Sequence, residues 1–243
     1  MELENQIAIV TGAAQGIGRA ISQRIAIAGA KVYMLDYNRE GIARTQAELM
    51  QKGCQCVGVY CDISDTKQSR QIIQTIIAQE GRIDILVNNA GIAQNVNILD
   101  MTEQDWDRVF SVNLRGPFFL TQAVLKVMTE KRRGRIVNIA SLAGERGGRF
   151  AGIHYSASKG AVITMTKSLA LTAAAYGVTV NAIAPGLIQT PMGDGLHFDV
   201  SEIPMGRLGT PEEVANAAYF LVSPSSSYIN GTTLDVNGGQ FMR

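Results

Sequence analysis

Tyr155 and Lys159 stand four residues apart, a spacing that puts two side chains on the same face of a helix. Reducing a carbonyl leaves an alkoxide that must take a proton, and oxidising an alcohol needs the reverse, so a phenol held beside an ammonium could serve either direction. A free phenol titrates near about 10, and a nearby ammonium favours its ionised form. Seven tyrosines and seven lysines in 243 residues give roughly 0.2 such pairs by chance, so the surrounding residues carry the weight. Ser141, in Asn138-Ile139-Ala140-Ser141, follows a Val/Ile-rich run and could donate its hydroxyl to a reacting oxygen. Asn113 falls near the end of a helical segment over 102–112, where its amide either holds a water or terminates the helix.

A second group of residues suits a phosphate-bearing ligand. Thr11-Gly12-Ala13-Ala14-Gln15-Gly16-Ile17-Gly18 lies between an apolar run and a helical segment. Glycines there allow a tight turn and close approach to a pyrophosphate, whose charge meets free N–H groups at a helix N-terminus. Asp36 ends the next apolar run, where an acid either meets an adenosine ribose or caps the following helix. Asp62 and Asn88-Asn89-Ala90-Gly91 follow the third and fourth runs. In sheets of this kind ligands bind outside the carboxyl ends of the strands, which is where all four features fall.

The elements that must hold these residues alternate along the chain. Strands are expected at Ile7–Thr11, Lys31–Asp36, Gln55–Cys61, Asp84–Asn88, Arg135–Ile139, Val178–Ala184 and Thr232–Val236, all short and rich in Val and Ile. Helices are expected over 17–29, 39–51, 66–80, 102–112, 117–131, 153–176 and 211–222. Ser64-Asp65 and Thr210-Pro211-Glu212-Glu213 supply start signals. Such repetition predicts right-handed crossovers and a parallel sheet covered on both faces. Residues 1–243 read as a single domain. Eight glycines and prolines between Pro185 and Gly209 predict a long substrate loop or lid, about 186–210.

Composition narrows the class. The chain is 46% apolar and 18% charged with a net charge of +1, which argues against nucleic acid or an anionic membrane as partner. No run of roughly 18 apolar residues is present for a membrane span, and the N-terminus lacks a signal-peptide n-region, so a cytoplasmic location is expected. Lys131, Arg132, Arg133 and Arg135 read as a solvated helix end. Cys54, Cys56 and Cys61 have no metal-ligand spacing and read as buried reduced thiols, with no metal expected. Trp106 is expected to pack, and His154 to face solvent or a neighbouring loop at a helix N-terminus. Arg146 and Arg149 could receive a carboxylate or phosphate, or be solvated charges or a subunit contact.

In this order, TGAAQGIG (11–18), Asp36, CDI (61–63), NNAG (88–91), Asn113, Ser141, YSASK (155–159) and PGLIQT (185–190) resemble the short-chain dehydrogenase/reductase family over essentially the whole chain. The resemblance implies a Rossmann-type α/β domain with seven parallel strands ordered 3-2-1-4-5-6-7. It implies Tyr155 as acid/base, Lys159 lowering its pKa and holding the nicotinamide ribose, Ser141 orienting the substrate oxygen and Asn113 placing a water. It places Gly12, Gln15, Gly16, Ile17, Gly18, Asp36, Tyr37, Asp62, Ile63, Asn89, Ala90, Gly91, Tyr155, Lys159, Pro185, Gly186, Ile188 and Thr190 around the cofactor. Relatives preferring NADP usually carry a basic residue where this chain has Gln15 or Tyr37, so NAD(H) is expected. The substrate is a small carbonyl or secondary alcohol of sugar/polyol or 3-oxoacyl type, and a homotetramer is implied by analogy. The alternatives are an NADPH-dependent 3-oxoacyl-carrier-protein reductase and, of another class, a dinucleotide-binding sensor without chemistry.

Overall fold

The apolar runs become strands because each is buried on both faces. The computed structural model describes residues 1–148, 151–193 and 198–242. Its strands are β1 (Ile7–Thr11), β2 (Lys31–Asp36), β3 (Cys56–Tyr60), β4 (Ile85–Asn88), β5 (Gly134–Ile139), β6 (Val178–Pro185) and β7 (Thr233–Val236). All seven pair in parallel in the order β3-β2-β1-β4-β5-β6-β7, the Rossmann-type order expected, with boundaries within a residue of those read from sequence.

Helices α1 (Gly16–Ile27), α2 (Arg39–Gln51), α3 (Thr66–Glu80), α4 (Glu103–Phe110), α5 (Gly116–Lys131), α6 (Ala143–Arg146), α7 (Ile153–Ala173) and α8 (Pro211–Val222) connect the strands. Asn38 caps α2 by accepting from the Gly41 N–H, and Asp65 caps α3 through the Lys67 and Gln68 N–H groups. Thr102 with Asp105 and Thr210 with Glu213 form reciprocal caps at α4 and α8. One apolar layer (Val10, Ile21, Ile25, Val32, Met34, Val214) lies under α1, α2 and α8. The other (Ile9, Leu35, Ile73, Leu86, Leu120, Val180) lies under α3, α5 and α7. Between sheet and helices runs a buried polar ladder. The Asn88 amide donates to Thr121 Oγ1 at 2.9 Å and to Asn138 Oδ1 at 2.8 Å, and Asn138 donates to Thr166 Oγ1 at 2.9 Å. It seats α7, which carries Tyr155 and Lys159, on β4 and β5.

Some expectations change. The segment expected as helix to 112 ends at Phe110 and passes through a wide π-turn, Ser111–Arg115, into α5. The basic cluster is more than a solvated helix end: Arg133 and Arg82 both donate to buried Asp84, whose other oxygen takes the Ile7 N–H, while Arg135 is half-buried. His154 is fully buried, which removes solvent from the two alternatives expected and leaves the neighbouring loop. Its ring packs beside Gly152 at the entry to α7, and neither ring nitrogen has a hydrogen-bond partner among the described residues. Trp106 is 39% exposed, stacked on Phe110 with ring centres 4.6 Å apart, because α4 turns that edge away from the sheet. The three cysteines are free and buried, and burial pushes each thiol up. Among the described residues no cluster of metal-ligating groups occurs, and no helix is long and apolar enough to cross a membrane.

Candidate active site

The carboxyl ends of β1 to β6 open into one cavity of about 1400 Å³, and every residue expected around the cofactor lines it, from Gly12 to Thr190. Ser141, Tyr155 and Lys159 line it too, whereas Asn113 stands behind its wall. The sequence reading missed other lining residues: Arg108 from α4, Met192, Phe198 and Glu202 from the loop after β6, and Gln240 from the C-terminal turn. Arg146, from α6, lines the cavity as well, while Arg149 lies outside the described residues. The described parts of the segment after β6 carry short 3-10 turns at Pro191–Gly193 and Val200–Glu202, and its base is clasped: Gln189 N–H donates to Gly209 O at 2.9 Å and Gly209 N–H to Leu187 O at 3.0 Å.

At the glycine-rich turn the backbone has no room for side chains. A Cβ on Gly18 would lie 2.1 Å from Gly12 O, and one on Gly12 would lie 2.8 Å from the Asn89 amide. Asn89 Nδ2 donates to Thr11 O at 2.9 Å and Gly12 O at 3.0 Å, and Thr11 Oγ1 accepts from the Asn89 and Ala90 N–H groups at 3.0 Å each. The turn is thus locked to the β4 loop. No side chain caps α1, whereas side chains cap α2, α3, α4 and α8, and no acid sits in the first turn of α1, which leaves N–H groups and a positive helix end for a diphosphate.

Asp36 is 7% exposed. One carboxylate oxygen accepts from Ala14 N–H and the other from Asn38 N–H, both at 2.9 Å. The cap of α2 belongs to Asn38 instead, so Asp36 keeps lone pairs for hydroxyl donors at the adenosine end of the cavity. Arg19 is paired with Glu48 and Arg39 stacks on the Tyr60 ring. Neither lines the cavity. Asp62 is exposed and holds its own turn through Ser64, at 2.9 Å to the N–H and 2.7 Å to the hydroxyl.

Tyr155 and Lys159 share one face of α7, as their spacing requires. Lys159 Nζ donates to Ile139 O at 2.7 Å and lies 5.8 Å from the Tyr155 ring centre. Burial holds the lysine down at about 8. Burial also pushes the Tyr155 hydroxyl above its usual range, opposed by a hydrogen bond from Ser141. The expected lowering of Tyr155 by Lys159 is therefore not met here, because desolvation of the phenolate dominates. Ser141 Oγ also accepts from Ala143 N–H at 3.1 Å, which fixes the serine at the start of α6.

Asn113 neither terminates a helix nor offers a free amide. Its Oδ1 accepts from Ile92 N–H at 2.9 Å, and its Nδ2 donates to Ile92 O and to Ser158 Oγ, each at 3.0 Å.

Comparisons with known proteins agree with this architecture. A family model described as enoyl-(acyl carrier protein) reductase matches residues 12–240. The 3-oxoacyl-[acyl-carrier-protein] reductase FabG of Vibrio harveyi is 42% identical over 100% of both chains, and that of Escherichia coli K12 is 40% identical over 100% of both. Among solved structures, a protein from Agrobacterium tumefaciens described provisionally as a gluconate dehydrogenase superposes with TM-score 0.94 at 32% identity, covering 98% of this chain and 97% of that one. Another from Beutenbergia cavernae, described provisionally as an NAD(P)-dependent gluconate 5-dehydrogenase and carrying NADP at low occupancy, gives 0.94 at 36% identity over 98% of both.

Proposed function

We propose that this chain, which belongs to the short-chain dehydrogenase/reductase family, is an oxidoreductase using NAD(H) on a carbonyl or secondary alcohol of sugar/polyol or 3-oxoacyl type. The observation that carries this reading is the joint placement of Ser141, Tyr155 and Lys159 in the cavity that an uncapped helix N-terminus and a carboxylate also face. The residues present fit a dinucleotide: the α1 N-terminus suits the diphosphate, Asp36 the ribose hydroxyls, and the wall from Asn89 to Gly91 with Pro185 to Thr190 the nicotinamide half. When bound, the nicotinamide supplies or accepts a hydride. Ser141 donates to the substrate oxygen and orients it. In reduction Tyr155 gives its proton to that oxygen, and in oxidation the deprotonated form takes it back. The Lys159 ammonium steadies the phenolate between these events and holds the ribose. A lid over the cavity would exclude water.

The preference for NAD(H) rests on Asp36 and on the absence of a cation lining the adenosine end among the described residues. A 2′-phosphate would remove a donor to Asp36 and bring two anions together, a difference of about 2–3 kcal/mol, or roughly 30- to 150-fold. The second reading, an NADPH-dependent 3-oxoacyl-carrier-protein reductase, is supported by the identity to the curated relatives. The polar Gln240 and Arg146 in the cavity support a hydroxylated or anionic substrate instead. Reduction of acetoacetyl-coenzyme A and of 5-ketogluconate with NADH and NADPH in turn, and oxidation of gluconate with NAD+ and NADP+, test these readings. Higher kcat/KM with NADPH would refute the cofactor assignment, and binding without turnover on a broad carbonyl panel would favour a sensor.

The sheet spans Ile7 to Val236 with one core layer on each face, which supports a single domain. Free cysteines support a cytoplasmic setting. A homotetramer is supported by the exposed aromatic edge of α4 and α5, where Trp106 and Phe118 are 39% and 38% exposed beside a groove lined by Phe110, Leu114 and Met165. Sedimentation at the mass of one chain would refute it.

A further inference from the structure

We propose that Ser158 is a positioning residue that ties the Ile92-paired amide of Asn113 to α7, and through it sets the alignment of the Gly91–Ile92 wall with the turn of α7 bearing Tyr155 and Lys159. This rests on the catalytic reading above. Ser158 is fully buried and Asn113 is 1% exposed, so no solvent can replace a lost partner. The Ser158 hydroxyl has one proton, and it goes to Tyr155 O, three residues back on α7, at 2.7 Å. Its oxygen can then only accept, so only the Nδ2 edge of Asn113 can face it, at 3.0 Å. That choice leaves Asn113 Oδ1 toward Ile92 N–H and the second Nδ2 hydrogen toward Ile92 O.

With the amide reversed, Oδ1 would lie against Ser158, and Nδ2 would meet the Ile92 N–H with no acceptor between them. The buried hydroxyl and the Ile92 backbone thus impose the same polarity on the amide, and the hydroxyl ties that pairing to α7. The pairing reaches the reaction centre, because a Cβ on Gly91 would lie 3.3 Å from Asn113 Oδ1 and 3.4 Å from Lys159 Nζ. Backbone of the cofactor wall, the asparagine amide and the lysine head meet at that one point. A displaced Asn113 therefore displaces the wall relative to Lys159. Space alone does not demand the hydroxyl. Alanine would fit this helical position but would leave an Asn113 N–H buried without an acceptor.

The test is Ser158→Ala, alone and combined with Asn113→Ala, measured by NADH-dependent reduction of acetoacetyl-coenzyme A or 5-ketogluconate, whichever the wild type turns over faster. We expect kcat to fall about 5- to 20-fold with KM for NADH unchanged, and the double variant to match Asn113→Ala within about twofold, because both changes break one linkage. Amide exchange of the unliganded protein gives a readout independent of activity. Ile92 N–H should exchange about tenfold faster in Ser158→Ala while Val87 in β4 stays protected. Wild-type kcat in Ser158→Ala, losses that multiply in the double variant, or unchanged exchange at Ile92 would each overturn the proposal. If the wild type turned over neither probe the catalytic reading would fall, and the exchange result would still decide whether Ser158 holds Asn113.

Discussion

Replacing Lys159 by methionine should abolish turnover and yet make the unliganded protein more stable near neutral pH. Lys159 is 4% exposed, and burial lowers its ammonium from 10.5 to about 8. That fall, about 2.5 pH units, corresponds to about 3 kcal/mol held against the folded state. Part of it is offset by the 2.7 Å hydrogen bond to Ile139 O, whose net contribution is about 1 kcal/mol. Methionine fills similar space without a charge, so the variant should gain about 2 kcal/mol, roughly 4–8 °C in midpoint for a chain of this size. The pH dependence fixes the cause. Below about 8 the lysine is charged in both states and folding carries the full burial penalty. From about 8 to 10.5 the folded protein has lost the proton that the unfolded chain still binds, so wild-type stability rises with pH. Above 10.5 both are neutral, the burial penalty is gone, and the wild type, which keeps the hydrogen bond to Ile139 O, should be the more stable by about 1 kcal/mol. Thermal unfolding without cofactor at pH 6.5, 8.5 and 10, at one protein concentration, measures this. A variant less stable than wild type at pH 6.5, or a gap that does not narrow as pH rises, would refute the reasoning.

Tyr155→Phe should retain NADH binding in a fluorescence titration while kcat drops about 10²–10⁴-fold; retention of half the wild-type kcat would remove the tyrosine from the proton path. Because burial keeps the Tyr155 phenol above its usual range, the reduction rate of the wild type should lose no activity to phenol ionisation below about 10. A falling limb near 8 would instead follow deprotonation of Lys159, and it should be missing from Lys159→Met at whatever residual rate that variant shows. Asp36→Ala with Tyr37→Arg should narrow or invert the ratio of kcat/KM for NADH over NADPH, and an unchanged ratio would mean that Asp36 does not meet the ribose. Gln240→Leu should cost about 10-fold or more on gluconate but under about threefold on acetoacetyl-coenzyme A; equal losses on both would count against a polar contact from Gln240.

The strands and the glycine-rich turn were legible because both follow from local patterns, whereas the strand order and most of the residues around the cofactor came with the family resemblance. Short Val/Ile runs can only be buried strands when helices cover both faces, and a glycine-rich turn between strand and helix has few uses other than close backbone approach. Lys159 and Tyr155 were legible for the same reason, since four residues along a helix is a fixed geometry. What escaped the sequence depends on distant parts of the chain meeting. Gln240 comes from a turn 50 residues beyond the PGLIQT segment that it faces, and no spacing rule connects the two. His154 was expected to face solvent or a neighbouring loop, and in the fold its ring is fully buried beside Gly152. Asn113 shows the limit most clearly. From sequence its amide could hold a water or end a helix, and both readings treat it as locally free. In the fold it has no free valence on nitrogen, because a loop 21 residues earlier and a serine 45 residues later take both hydrogens. Its neighbours along the chain pass through a π-turn, which no propensity marks. A substitution at Asn113 that preserves the Ile92 pairing should therefore preserve more activity than one that preserves only polarity.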